Sequence, residues 1–394
     1  MRILMVSDTY FPRISGVASS IQSFRAGLTR LGHEVDLLIP AYGDGDTQGP
    51  GVFHVRAWRI GLYPEERIMR FTGRARLQKR LRRRGYDVIH IQTPFMAHFY
   101  GLYLARKWEI PVVISYHTYF EAYIGHYYPW IPKSWGRCLV RFVSRRQCNA
   151  ADAVIIPSAA MERVLAAYGV RARAEVIPTG IDVSSCYAGD GISFRSRNRI
   201  DPKRPVLLYA GRLAPEKNIP FLLDVVAKLH AVIPDLLILI AGDGPARPAL
   251  EAYSREKGLT DVVRFLGYVD RQTTLKDVYR AADLFVFASQ TETQGMVLAE
   301  ALAAGLPVVA IPALGVADLL VSRQGTRGST ADPNVFSAIC LTILRDPELR
   351  ARLAMEASAL AARLSQDAMS RRLGRTYAAL IDEEAAVRWT TQEP

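Results

Sequence analysis

The chain has 394 residues, 49% of them hydrophobic and 22% charged, with a net charge of +12. That length predicts about two domains, and the composition excludes a mainly disordered, collagen-like or low-complexity chain. The four cysteines (Cys138, Cys148, Cys186, Cys340) include no C-x-x-C pair, which argues against a disulfide framework or structural zinc and for a reducing compartment. Ile3–Val6 is too short an apolar run for a signal peptide, and no stretch reaches the ~20 apolar residues of a membrane span. A soluble, cytoplasmic protein is expected.

In chain order, Ile3–Val6, Val35–Ile39, Val88–Ile91, Val112–Ser115 and Val154–Ile156 are short, β-rich and apolar on both faces, as buried parallel strands are. Amphipathic stretches lie between them; Ala18–Leu31 is one, stopped by Gly32. A second set follows at Val206–Ala210, Leu236–Ile240, Val262–Leu266, Leu284–Phe287 and Val308–Ile311, and beyond residue 335 the pattern is helical. This alternation predicts two doubly wound α/β domains, with Gly180–Pro205 as the linker. Ligands bind beyond the carboxyl ends of such strands, so a cleft between the domains is expected to hold one.

Three loops carry chemistry. After the first strand, the loop Phe11–Val17 contains Gly16, where a bare backbone admits a phosphate, although a plain turn explains it equally. After Val206–Ala210, the segment Gly211–Asn218 places Arg212 and Lys217 at a strand end, where a fork and a point charge suit a diphosphate; a solvated basic loop is the alternative. After Leu284–Phe287 comes Thr291–Glu300. Glu292 lies in the loop and Glu300 about five residues into a helix from Gly295 to Ala304, roughly 7.5 Å along its axis. Two carboxylates so spaced can each hold paired hydroxyls, with the amides of Gly295 and Met296 receiving an anion between them. A nucleotide sugar has that pattern; an ordinary acidic helix start is the alternative. Gly242-Asp243-Gly244 lacks the rest of a nicotinamide fingerprint, Asp44-Gly45-Asp46 reads as a polar turn, and the seven histidines show no ligand spacing. No metal is expected.

At these residues the chain resembles the retaining GT-B glycosyltransferases of family 4. Glu292 and Glu300 match the family's E-x7-E signature, Gly211–Asn218 its G-R-L-x-x-x-K segment, and Ser15-Gly16-Val17, Gly32–Val35 and Ala303–Val309 are also similar. The resemblance covers roughly residues 2–320. It implies a GT-B fold of two Rossmann-like domains, at 1–185 and 186–365, with a tail at 366–394 whose helix, about Gln366–Glu384, crosses back to the first. It further implies that Glu292 holds the transferred sugar, Glu300 the ribose, and Arg212 and Lys217 the diphosphate. Gly16 and Gly211 would shape the phosphate loops. Tyr268 and Val269 would meet the base, and Gly295, Met296 and Val297 would form the anion-binding helix start. Two departures are Ser15-Gly16, where many members have Gly-Gly, and Gly315–Asp318, which fits the usual loop poorly. No cofactor is implied; the substrate is a nucleoside-diphosphate sugar, UDP favoured over GDP.

Ser115–Tyr123, continuing to His126-Tyr127, resembles the bacterial diacylglycerol glucosyltransferases more narrowly, and places His117 beside the reacting region. A core histidine satisfied by backbone is the alternative. Residues 1–190 hold 25 Lys+Arg against 15 Asp+Glu, leaving 25 against 23 for the remainder. The excess lies in Glu65–Arg84 and Lys133–Arg146. In the latter, Arg137, Arg141 and Arg145 recur at i, i+4, i+8 beside Trp130, Trp135, Leu139, Phe142 and Val143. Basic residues with aromatic ones fit the anionic inner face of a membrane. Nucleic acid is disfavoured because no recognisable module or stacking platform occurs. The expectation is a metal-independent hexosyltransferase of glycolipid biosynthesis, peripheral to the membrane, carrying glucose from UDP-glucose to a lipid such as diacylglycerol. Alternatives are a soluble acceptor, a nucleotide-sugar epimerase or hydrolase on the same scaffold, and a non-enzymatic nucleic-acid or lipid-binding protein.

Overall fold

The computed structural model describes residues 1–13, 15–43, 49–59, 67–70, 74–121, 132–271 and 273–392. Asp44-Gly45-Asp46, Phe71, Tyr123, His126, Tyr127 and Trp130 lie outside the described residues. The chain divides into two units, Met1–Gly180 with Gln366–Pro394, and Ile181–Ser365.

In the first unit, β1 (Arg2–Val6), β2 (Glu34–Pro40), β3 (Val52–Val55), β6 (Val88–Ile91), β7 (Val112–Ser115), β8 (Ala153–Ile156) and β9 (Arg173–Val176) form a parallel sheet. Its order is β3-β2-β1-β6-β7-β8-β9, and a separate antiparallel pair joins β4 (Ala57–Arg59) to β5 (Arg67–Met69). Strands β1, β6, β7 and β8 are buried along their whole inner length, which explains their unalternating apolar sequences. The helix Gly16–Arg30 is capped by Ser15, whose hydroxyl accepts the Ala18 amide at 3.1 Å.

The final helix, Gln366–Gln392, completes this unit's core. Met369, Leu373, Tyr377 and Leu380 pack with Ile21, Phe24 and Leu28 over β1 and β2. His90 Nδ1 lies 2.6 Å from the Tyr377 hydroxyl and His90 Nε2 lies 2.8 Å from Ser115 Oγ, so one buried imidazole ties β6, β7 and the tail. Burial holds that histidine down at about 3, so it stays neutral.

The second unit holds β10 (Val206–Ala210), β11 (Leu237–Ala241), β12 (Val263–Gly267), β13 (Leu284–Phe287), β14 (Val308–Ala310) and β15 (Thr326–Gly328). Their order is β12-β11-β10-β13-β14-β15, again parallel. Both sheets therefore run outward in two directions from a central pair. That reversal opens a crevice beyond the carboxyl ends of β1 and β6, and another beyond β10 and β13. The expected strands appear within a residue or two of their predicted ends. Strands β3, β4, β5, β9 and β15 carried too little sequence signal to be expected.

Candidate active site

The second unit's crevice is built from the loops after β10 and β13. Gly211 leaves β10 with its amide on Ala241 O at 2.9 Å, and the Leu213 amide donates to Asp243 O at 3.0 Å. A side-chain carbon at Gly242 would lie 1.9 Å from Gly211 O, and one at Gly244 would lie 2.3 Å from Leu213 O. The Gly242-Asp243-Gly244 segment is thus the close-packed floor beneath the Arg212–Lys217 loop. Arg212 itself is exposed, while Pro215–Lys217 forms a short 3-10 turn that turns Lys217 inward.

Lys217 Nζ pairs with Glu292 from the loop after β13, and both side chains are largely buried. The two strand ends are further joined by Ser289 Oγ, which donates to Glu216 O at 3.2 Å. Gly295 caps the following helix, Met296–Ala303, at φ +80°, a left-handed conformation that favours glycine. The Gly315 amide donates to Glu292 O at 3.0 Å, and a side-chain carbon at Gly315 would lie 2.1 Å from Thr293 O. Gly315 therefore holds the Glu292 loop, although its segment matches the family pattern poorly. Its sequence signal was the lone glycine after β14.

Glu300 is buried, pairs with Arg271, and accepts a hydrogen bond from Tyr279 at 3.1 Å. Neither Arg271 nor Tyr279 was picked out from the sequence, because their spacing to Glu300 depends on the fold. Tyr268, on the same loop as Arg271, is exposed, and Val269 packs partly on the core. Val297 also packs there, and its carbonyl accepts from Tyr279 at 3.3 Å. The structure thus brings Gly211, Lys217, Glu292, Gly295 and Met296 to one crevice, with Glu300 within the next helix. It places Lys217 on a carboxylate, where the resemblance implied a diphosphate contact.

In the first unit, His117 is half-buried two residues past β7, with Nε2 3.0 Å from Gln92 Oε1. Burial holds its imidazole down at about 4, so it is neutral at physiological pH. A side-chain carbon at Gly16 would meet nothing within 4 Å, so packing inside the unit does not require glycine there.

The basic helix, Lys133–Cys148, needs a correction. Arg137 and Arg141 do not form a free stripe: they converge on Glu121, at 3.4 and 2.9 Å. Burial raises the Glu121 carboxyl, but hydrogen bonds from Arg141 and Tyr168 and the charge of Arg137 outweigh it and hold it below its usual range. Arg145 lies over the Phe142 ring at 5.9 Å. The paired arginines stay more than half exposed, and apolar side chains share the solvent side with them: Trp135 is 77% exposed, and Leu139 and Phe142 are more than half exposed. At spacings of four and three they share one stripe. No helix among the described residues is long and apolar enough to cross a membrane.

The Glycosyltransferase Family 4 model matches residues 14–185, and the Glycosyl transferases group 1 model matches residues 192–359. An alpha-monoglucosyldiacylglycerol synthase of Streptococcus pneumoniae is 32% identical over 79% of this chain and 71% of its own. The enzyme of that name from Acholeplasma laidlawii is 29% identical over 78% of this chain and 80% of its own. The fold matches that of Anabaena HepE, crystallised with UDP, at a TM-score of 0.75 and 21% identity over 96% of this chain and 100% of the other. With two parallel Rossmann-like sheets, the E-x7-E pair and the Gly211–Asn218 loop in register, the chain belongs to family 4 of the retaining glycosyltransferases.

Proposed function

We propose that this enzyme transfers glucose from UDP-glucose to diacylglycerol at the inner face of a membrane. The observation that carries the donor assignment is the pairing of Lys217 with Glu292 beside the Met296–Ala303 helix start. Carboxylate, cation and helix amides meet within one crevice, which is what a sugar hydroxyl linked to a diphosphate requires. Lys217 pairs with Glu292, and Arg271 with Glu300. A donor would exchange those contacts for hydroxyls and bring Lys217 and Arg212 onto the leaving phosphates. The ribose would take Glu300, the base would lie along Tyr268 and Val269, and Gly16 and Gly211 would let backbone approach the diphosphate.

The proposed reaction proceeds on one face of the sugar. The donor's C1–O bond breaks, the acceptor oxygen bonds to the same face, and the departing phosphate takes the acceptor's proton. Positioning and stabilisation of leaving charge then supply the acceleration, and His117 would orient the sugar. Positive charge from Arg212, Lys217 and the helix start makes this proposal metal-independent.

The lipid acceptor is supported by the names of the two synthases and by the exposed Trp135, Leu139 and Phe142 on a helix that also carries Arg145 and Arg146. Such a face inserts its aromatic residues at the headgroup boundary, with flanking arginines on anionic lipid.

The test is a matrix of UDP- and GDP-sugars against dioleoylglycerol in phosphatidylglycerol vesicles, with excess chelator. Glucosyl-lipid with retained α configuration from UDP-glucose is expected. Product only with a soluble acceptor, or hydrolysis or epimerisation without transfer, would replace this assignment. Turnover that stops with chelator and returns with a divalent ion would overturn metal independence.

A further inference from the structure

Glu300 is a buried carboxylate with a protein partner on each oxygen. Arg271 Nη2 pairs with Oε1, and the Tyr279 hydroxyl donates to Oε2 at 3.1 Å. A buried carboxylate stripped of a partner is costly, so whatever takes either place must replace its hydrogen bonds. The Glu300 side chain is only 6% exposed, which leaves a ligand little open surface beside the two partners. A ribose diol therefore reaches this carboxylate by displacing one of them.

The two partners differ in how readily they leave. Tyr279 is 2% exposed, on the helix Leu275–Ala281, with its ring 6.0 Å from that of Phe285 and its hydroxyl also 3.3 Å from Val297 O. Moving it would open a void in the second unit's core. Arg271 comes from the loop after β12, and 42% of its side chain is exposed. The backbone of that loop is held independently. Asp270 Oδ1 accepts the Thr273 amide at 2.8 Å and the Thr273 hydroxyl at 2.7 Å, and Asp270 O accepts the Leu275 amide at 2.8 Å. Arg271 can thus leave by rotating its own side chain into water, which solvates a guanidinium well, while loop and helix stay in place.

We propose that Arg271 is a displaceable counterion for Glu300, one that competes with the donor's ribose and sets how tightly the enzyme holds the nucleotide. This deepens the donor reading above and rests on its assignment of the ribose to Glu300. Binding exchanges a charge-assisted bond for hydroxyl bonds, so breaking the pair cancels part of what the ribose contributes. The same exchange runs backwards after transfer. As UDP departs, Arg271 returns to the carboxylate and offsets the lost ribose contacts. Arg271 thus weakens nucleotide affinity and speeds release of the spent UDP.

The test uses the full chain with Arg271→Ala, which removes the competitor, and Arg271→Gln, which leaves Glu300 a neutral amide donor and keeps the fold should the alanine variant lose it. Calorimetry with UDP reads the ribose carboxylate together with the diphosphate contacts. Calorimetry with inorganic pyrophosphate reads the diphosphate contacts alone, because that probe has no ribose to meet Glu300. UDP is expected to bind at least about tenfold tighter to Arg271→Ala, the scale of one hydrogen bond to a charged group, and tighter by a smaller factor to Arg271→Gln. Pyrophosphate affinity should stay unchanged in both, and product inhibition of transfer by UDP should strengthen in the same order. UDP binding that is equal or weaker in both variants would overturn the proposal, weaker binding making Arg271 a contact of the nucleotide itself. A parallel gain for pyrophosphate would also overturn it, since that gain does not pass through the ribose. If the wild type binds pyrophosphate but not UDP, the ribose assignment fails and the competition with it; if it binds UDP and the variants match it, only the competition fails.

Discussion

At Asp8 the surroundings favour the neutral carboxyl. Burial outweighs the amides of Ala97 and Met96 and the Thr93 hydroxyl and lifts it from 3.8 to about 6. A carboxyl raised in the folded state binds its proton more tightly there than in the unfolded chain. Its contribution to stability is therefore complete below about pH 4 and is lost as pH rises through 6. At 1.36 kcal/mol per unit, the loss is of order 3 kcal/mol above pH 7. Asp8→Asn is expected to stabilise the first unit by up to that amount at pH 8 and by little at pH 4, measured by urea unfolding at both. A gain independent of pH would refute the cause. Lys217 makes the opposite case, since its partner Glu292 is itself part of the proposed donor site. Lys217→Ala should lower kcat/KM by about 10²–10³, the range for a lost charge-stabilising group, while circular dichroism stays unchanged. Turnover near that of the wild type would remove Lys217 from the diphosphate contact.

Among the elements, the Lys133–Cys148 helix shows that a periodic charge pattern does not reveal its partners. Arg137, Arg141 and Arg145 are correctly spaced for one side of a helix, but spacing does not say what lies opposite. Glu121, remote in sequence, pairs with two of them, and Trp135, Leu139 and Phe142 are exposed on the same helix. Replacing those three by serine should reduce sedimentation with phosphatidylglycerol vesicles at least tenfold. Reversing Arg137 and Arg141 should do less to binding and more to folding, because it sets like charge against Glu121. Equal binding by the serine variant would make the stripe an ordinary solvated surface. The strands of the two cores were legible because burial on both faces leaves an uninterrupted apolar run, as in Val206–Ala210. Strand β9, Arg173–Val176, was not, since edge position leaves it half exposed with charged residues. In the candidate site, Lys217, Glu292 and Glu300 were legible from loops fixed by strand ends. Arg271, Tyr279 and Gly315 were not, because only the folded chain brings them to those carboxylates.

On the scale of the molecule, the first unit is discontinuous in sequence. Met369, Leu373, Tyr377 and Leu380 are buried in its core, and at roughly 1.5–3 kcal/mol per fully buried side chain they contribute on the order of 6–12 kcal/mol. Domain stability is only about 5–15 kcal/mol, so a chain ending at Ser365 should leave the first unit unfolded. The segment Ile181–Ser365, with its own core, should fold alone and retain cooperative thermal melting. A truncated chain showing two intact transitions would contradict this.

The same discontinuity sets an order of events during synthesis. Translation delivers Met1–Gly180 first, but its core lacks the helix that carries Tyr377 until Gln366–Gln392 has been made. The second unit, contiguous in the chain, has everything it needs earlier. The half made first is thus the half finished last, and the nascent chain carries an incomplete apolar surface through most of its production. Ribosome-bound chains stalled after the second unit has emerged should resist protease within Ile181–Ser365 while remaining cleavable in the first 180 residues. Emergence of Gln366–Gln392 should then protect both.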